Sequence, residues 1–248
     1  MPKINVYLPD ALAAAVKEAG VPVSAVCQAA LTDAVQRIEQ TRRSIAFFRD
    51  PATPAVALRK IAQSIRHRGV MTERLVAALR VAASDAVGQD LDEVSSLDLL
   101  RGLLDDSENW AVRLLLVQGV SLDALIAAVT ASEADEPPPP VRESGADSFL
   151  TRLTMPARLA VASALEAVVD LGHNYIGCEH ILIGLTASEC QARDLLARHG
   201  VQTAALRESL SAAAAGVAME RSRSVNQSAA LADLTRRLEA IERQLAGG

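Results

Sequence analysis

A mainly helical fold is predicted by three observations. Half of the 248 residues are apolar yet only 2% are aromatic, so the core must come from Leu, Val, Ile and much Ala. Ala loses no side-chain entropy in a helix and Leu loses little, whereas an all-β fold wants more aromatic and β-branched residues. The amino-terminal 40 residues read as strand, helix, turn, helix, and a pattern of about four short helices is written twice between residues 70 and 210.

In the first unit (1–40), Lys3-Ile4-Asn5-Val6-Tyr7-Leu8 alternates polar and apolar, the pattern of a strand with one buried face. Pro9 stops it, and Pro9-Asp10 opens a helix over Ala11–Ala19. Gly20 stands where a left-handed residue closes a helix. Ser24 is placed as N-cap of a second helix running to about Gln40. Such a unit is too small to bury its own apolar faces and is expected to pair with a second copy.

Residues 41–69 read as a basic helical connector broken at Pro51 and Pro54. Over residues 1–69 the chain holds 10 Lys/Arg against 5 Asp/Glu, and over 70–248 it holds 15 against 25. The net charge of −5 thus hides a basic amino-terminal end suited to a polyanion.

The duplicated region spans 70–131 and 150–210, with a Pro-rich loop over 132–149. Arg74-Leu75-Val76-Ala77-Ala78 recurs as Arg158-Leu159-Ala160-Val161-Ala162. Leu99–Leu103 recurs as Ile181–Leu185, and Leu114–Val120 as Leu195–Val201, at nearly the same interval. Gly-Val closes the third helix of each copy. Over 226–246, Leu231, Leu234, Leu238, Ile241 and Leu245 are spaced 3, 4, 3, 4, an amphipathic helix with a coiled-coil-like seam.

Catalytic patterns are missing. No G-x-x-x-x-G-K-[ST] loop occurs: Gly172 and Gly177 have the separation but Cys178-Glu179 follow, and no lysine lies beyond Lys60. Gly119-Val120-Ser121-Leu122-Asp123 lacks the second glycine of a nucleophile elbow. Asp105, Asp106 and Glu108 read as charges at a helix start. His173, Cys178, His180 and Cys190 do not have the usual zinc-ligand spacings, so neither metal nor cofactor is expected. The three cysteines give no disulfide framework, and neither a signal peptide nor a bilayer-length apolar run is read, so a cytoplasmic, non-membrane address is expected.

Two family resemblances follow from these motifs. The strand Lys3–Leu8, Gly20 and Ser24 resemble the ribbon-helix-helix family of bacterial DNA-binding proteins. The resemblance implies a homodimer whose paired strands enter the major groove. Lys3, Asn5 and Tyr7 would then face the bases or backbone, Ile4, Val6 and Leu8 the dimer core, and the helix start at Ser24 a phosphate.

The run Leu171-Gly172-His173-Asn174-Tyr175-Ile176-Gly177-Cys178-Glu179-His180-Ile181-Leu182-Ile183-Gly184-Leu185 resembles the Clp amino-terminal repeat domain of ClpC- and ClpA-type unfoldases, the likeness covering residues 72–210. It implies an all-α double repeat that binds substrate polypeptides, adaptors and, in some members, phosphoarginine through Glu179. The first repeat offers Ser95 or Ser96 at the matching place. In actinobacterial relatives macrocyclic peptides bind around Met71–Arg74 and Leu153–Arg158, which implies Met71, Arg74, Leu153, Met155 and Arg158 as ligand residues. His173 and His180 are expected to tie a loop to a helix end. The expected function is a non-enzymatic, DNA-binding transcriptional (auto)regulator whose repeat domain senses a peptide, tagged protein or macrocycle. The alternative is a decoy or adaptor that competes with a ClpC-type unfoldase, its ribbon serving for dimerisation and Clp protease components or substrates serving as partners.

Overall fold

The computed structural model describes residues 5–67, 70–88, 93–134 and 152–213. The chain divides into two units, Met1–Val35 with Ala212–Gly248, and Gln36–Ser211. Lys3, Ile4, the Pro-rich loop and the amphipathic stretch 226–246 lie outside the described residues.

In the first unit, α1 spans Asp10–Glu18 and α2 begins at Val23. Gly20, at φ +62°, closes α1 with a Schellman pair, Val21 N–H to Val16 O and Gly20 N–H to Lys17 O. Two expectations are corrected here. Asn5–Leu8 is neither helix nor strand in the single chain, because a ribbon strand has no ladder without a partner. Nor does Ser24 cap α2: the helix starts at Val23 and runs through Gln40 to Arg49. Residues 41–49 contain no breaker, and they bury Ile45 and Phe48, which carries the helix onward.

The second unit holds the repeats. After α3 (Ala55–His67), the first copy is α4 (Glu73–Gly88), α5 (Ser96–Leu104), α6 (Trp110–Val117) and α7 (Leu122–Ala134). The second copy is α8 (Met155–Asp170), α9 (Cys178–Ala187), α10 (Gln191–Arg198) and a helix, α11, over 203–213. α4 packs on α5 and α8 on α9, while α9 also touches α4, α5, α6 and α10. One apolar core runs through both copies, with Leu75, Leu97, Leu100, Leu103, Ile181, Leu182 and Ile183 fully enclosed. Among the described residues no single helix is long and apolar enough to cross a membrane.

The copies are stitched by reciprocal backbone bridges. Met71, before α4, pairs with Ile176, before α9, and Leu153, before α8, pairs with Val94, before α5. The interval from Met71 to Leu153 equals that from Val94 to Ile176, and this shared interval sets the true register of the copies. It is shorter than the interval from Arg74 to Arg158, so the match of those two residues is corrected: Arg74 corresponds to Pro156, and Arg158 to Val76. The same register relates two close helix approaches. A side chain on Gly102 would run into the Ala78 carbonyl, and one on Gly184 into the Ala160 carbonyl. Gly119 and Gly200, both at positive φ, close α6 and α10 with the same Schellman bonds.

Arg158 serves the fold. It is 9% exposed, and its Nη2 donates to the carbonyls of Phe47 (3.0 Å) and Asp50 (2.7 Å) at the end of α2. These acceptors have no partner within the helix, and a cation complements that terminus. Burial holds the guanidinium below its ordinary value, with Asp50 opposing.

Gly184→Ala and Gly102→Ala are expected to cost about 1–3 kcal/mol each in urea denaturation, since backbone must yield to admit the methyl. A midpoint equal to that of the parent chain would contradict the close approach. Arg158→Ala removes the guanidinium donor from the Phe47 carbonyl and leaves Asp50 O only the Thr53 N–H, and it is expected to lower stability by about 1–3 kcal/mol. Ligand affinity in the same variant, measured below its melting point, is expected to stay unchanged.

Candidate functional site

α9 begins in an unusual way. Its N-cap, Gly177, has no side chain, so the capping is done backwards by His180 at the third helical position. His180 is fully buried and its Nδ1 accepts the Gly177 N–H at 3.0 Å. In the first repeat the same place carries a complete capping box. There Ser95 N–H donates to Asp98 Oδ2 at 2.8 Å and Asp98 N–H to Ser95 Oγ at 3.2 Å. Asp98 thus stands where His180 does, and both act as acceptors.

That bond fixes the imidazole tautomers. With Nδ1 of His180 accepting, its proton is on Nε2, which lies 2.8 Å from His173 Nδ1. His173 stacks on Tyr175 at 5.3 Å, and His180 meets both rings edge-on. The expected role of the two histidines, tying the loop to the helix end, is the one these contacts describe. Among the described residues no group of three or more His, Cys, Asp or Glu has a metal-holding arrangement.

Glu179 is 3% exposed, and its Oε1 has no hydrogen-bond partner. Oε1 lies 3.2 Å from His180 Nδ1, within ion-pair range. Since the Nδ1 lone pair is engaged by Gly177, this approach is not an ion pair while the imidazole is neutral. Burial opposes charge on Glu179. Against burial, His180, the residue's own N–H at the start of α9 and the Tyr175 hydroxyl prevail, holding the carboxyl below its ordinary value. Tyr175 is pushed up to about 12 by burial and by the Glu179 charge, so it remains a neutral donor. Burial, with the same charge, lifts the Cys178 thiol to about 12 and keeps it protonated.

These groups open onto a cleft of about 310 Å³ lined by Thr72, Arg74, Asn109, Trp110, Tyr175, Cys178 and Glu179. Thr72 Oγ1 is occupied by the Leu75 N–H and Asn109 Oδ1 by the Val112 N–H, so both serve as helix caps. Arg74 pairs with Asp106 at 2.6 Å on the exposed rim. Asp106 is held below its ordinary value by the Glu108 N–H and Arg74. Trp110 is 42% exposed with the Arg113 guanidinium over its ring. The cleft thus joins two aromatic walls to Glu179, whose enclosed Oε1 has no hydrogen-bond partner.

Its symmetry mate is closed. Leu97, not Ser95 or Ser96, stands in register with Glu179, and it is 1% exposed within the core. Pro156 replaces Arg74, Glu93 replaces Tyr175, and α10 opens on Gln191 where α6 opens on Trp110. Ser96 is buried and accepts the Ala192 N–H at 3.3 Å, sealing α5 against the start of α10.

The structure brings Arg74 and Glu179 to one cleft and separates the other expected ligand residues from it. Met71 and Leu153 serve the two backbone bridges, and Leu153 is buried. Met155 opens α8, half-buried, and Arg158 holds α2. Trp110 and Tyr175, with Thr72, Asn109 and Cys178, line the cleft without having been expected as ligand residues. Tyr175 stood inside the quoted motif, but Trp110 is contributed by the other repeat and gave no local signal. Of the expected DNA contacts, Asn5, Tyr7 and Ser24 are exposed and Lys3 lies outside the described residues.

Comparison with known proteins agrees on the second repeat. Residues 152–246 match the Clp repeat (R) N-terminal domain. Over 119 residues the chain is 35% identical to the uncharacterized protein Rv2667 of Mycobacterium tuberculosis, covering 48% of this chain and 43% of that one. It is 30% identical over 137 residues to the chaperone protein ClpB of the same organism, covering 55% of this chain and 16% of ClpB. The chain therefore spans less than half the length of these curated relatives. Similar solved structures include the N-terminal domain of ClpD from Arabidopsis thaliana, at 22% identity and a TM-score of 0.41 over 56% of this chain and 90% of that one. Another is the N-terminal domain of ClpV1 from E. coli, at 19% identity and a TM-score of 0.46 over 62% and 86%. The likeness to the Clp repeat N-terminal domain therefore lies in residues 152–246.

Proposed function

We propose that this chain is a non-enzymatic recognition protein whose repeat domain takes a peptide or tagged polypeptide into the Glu179 cleft and thereby acts as an adaptor or decoy for a Clp unfoldase. The observation that carries the reading is the buried Glu179 carboxylate with Oε1 free of any partner. A desolvated, unpaired acceptor is costly to maintain, and a ligand that donates to it recovers that cost. Between Tyr175 and Trp110, the fitting donor is a planar cation such as an arginine or phosphoarginine side chain, with Arg74 at the rim to meet a phosphate. Macrocyclic peptides remain a second ligand class for the same domain. With the symmetry-related place filled by Leu97, one ligand binds per chain.

A second reading, DNA-binding regulation by a homodimer, is favoured by the first unit. α1 buries no residue, and Val6, Leu12, Val26, Leu31 and Val35 are 44–63% exposed in the single chain. Apolar side chains left open along a strand-length segment and two helices suit a second copy, through which Lys3, Asn5 and Tyr7 would reach base edges and Ser24 a phosphate. On this reading ligand occupancy of the repeat alters DNA affinity, as linkage requires.

Titrating an arginine- or phosphoarginine-bearing peptide against the fluorescence of Trp110, the sole tryptophan, is expected to saturate at one ligand per chain. Glu179→Gln is expected to weaken binding about tenfold or more, the loss of a charge-assisted hydrogen bond. A flat titration overturns the ligand reading, whereas saturating binding that protects substrates in a ClpC degradation assay supports the adaptor or decoy role. For the second reading, sedimentation is expected to give a dimer that Leu31→Asp dissociates, with a gel shift on upstream DNA that is lost in the same variant. A strictly monomeric parent chain would remove the DNA-binding role and leave the cleft untouched.

A further inference from the structure

The two histidines behind the cleft do more than fasten a loop. Three distances define the chain of contacts: Gly177 N to His180 Nδ1 3.0 Å, His180 Nε2 to His173 Nδ1 2.8 Å, and His180 Nδ1 to Glu179 Oε1 3.2 Å. A backbone N–H can only donate, so His180 Nδ1 must accept, and Nε2 must carry the proton toward His173. In this state the His180 Nδ1 lone pair is taken by the Gly177 N–H, and Glu179 Oε1, 3.2 Å from that nitrogen, receives no hydrogen from it. Oε1 is thus left unsatisfied. The state survives because His173 holds the His180 proton on the far nitrogen.

We propose that His180 is a positioning residue for the cleft, its tautomer set by His173, and that protonation of the histidine pair turns it from holding Glu179 open to capping it. The inference rests on the cleft reading above for its consequence, but its structural content concerns the free protein. The proton balance is simple. One proton is taken up from solvent. The His180 Nε2 proton passes to His173 Nδ1, making His173 the imidazolium, and the incoming proton resides on His180 Nδ1. That N–H then donates to Glu179 Oε1, and the Gly177 N–H gives up its acceptor. The carboxylate is satisfied internally, and a positive charge sits behind it. Both changes disfavour a cationic ligand.

The groups around the pair do not offer a competing route. Glu179 and Tyr175 share its loop and helix start. His173 is driven below the ordinary histidine value by burial and by His180, with Glu179 opposing. Cys178 stays a neutral thiol, and Arg74 and Asp106, from the first repeat, pair with each other and act on Cys178. The protonated state therefore fills as pH falls below the ordinary histidine range near 6.5. The first repeat lacks the device: Asp98 does the capping there, and Leu97 stands in the place of Glu179.

Long-range ¹⁵N–¹H spectra of the full chain, with its four histidines assigned by substitution, test this without any ligand. The expected result at pH 7.5 is His180 protonated on Nε2 alone, with proton appearing on its Nδ1 as His173 titrates. Nδ1–H on His180 at pH 7.5, or a His173 that titrates while His180 keeps its tautomer, overturns the proposal. A second arm follows Trp110 fluorescence with an unphosphorylated arginine peptide. The parent chain is expected to bind progressively more weakly as pH falls below the ordinary histidine range, by about tenfold once His173 has titrated, the loss of one hydrogen bond to a charged group. His173→Phe, with no acceptor for His180, is expected to bind weakly at every pH. His173→Asn, whose amide oxygen accepts without titrating, is expected to restore affinity and abolish the pH dependence. Equal pH dependence in His173→Asn and the parent chain contradicts the proposal. Failure of the peptide to bind at any pH would overturn the ligand reading instead, while the tautomer result still decides the role of His180.

Discussion

The repeat domain depends on how closely α9 lies against α8. Gly184 lets the Ala160 carbonyl approach where any side chain would collide, as Gly102 does for Ala78 in the first copy. Helices that meet at such distance bring backbone to backbone, and Ala-rich faces can then supply a dense core with very few aromatic residues. The reciprocal bridges Met71–Ile176 and Leu153–Val94 hold the copies in one register. Each bridge delivers the start of a helix in one repeat to the start of a helix in the other. The cleft forms at one of these junctions, which explains why its lining comes from both copies.

Having placed the first turn of α9 in the interior, the fold must satisfy it. A glycine N-cap offers no side-chain acceptor, so His180 reaches back, and a second histidine completes its hydrogen bonding. Glu179 is then enclosed with an oxygen left over. In a low-dielectric interior an unpaired acceptor of this kind has consequences for ligand choice that the same group on the surface would lack. The first repeat solved the same end-capping demand with Ser95 and Asp98 and filled the neighbouring place with Leu97, which gives stability and no site. Duplication supplied two equivalent places, and side-chain replacement separated a structural one from a candidate functional one.

The amino-terminal unit obeys the opposite logic. α1 is terminated by Pro9 and by the Schellman bonds at Gly20, yet among the described residues neither α1 nor α2 as far as Val35 buries a side chain. Local signals were sufficient for these helices and insufficient for Asn5–Leu8, since a strand is a pairing relation and not a property of one segment.

The position of α1, the closing glycines and the apolar spacing of the repeat helices were legible in the sequence, because capping, φ preference and apolar spacing act within a few residues, whereas the run of α2 past Gln40 to Arg49 was not. The loop-to-helix motif at Leu171–Leu185 likewise announced Glu179, His173 and His180. What the chain order could not reveal was register across the repeats. The likeness of Arg74 to Arg158 suggested matching roles, but bridge geometry sets a shorter spacing, and the two arginines part ways: one rims the cleft, the other holds the end of α2. Trp110 joined the site and Leu153 left it for the same reason. Which side chains face a common space depends on contacts between segments far apart in sequence, and only the folded packing of α9 against both repeats decides them.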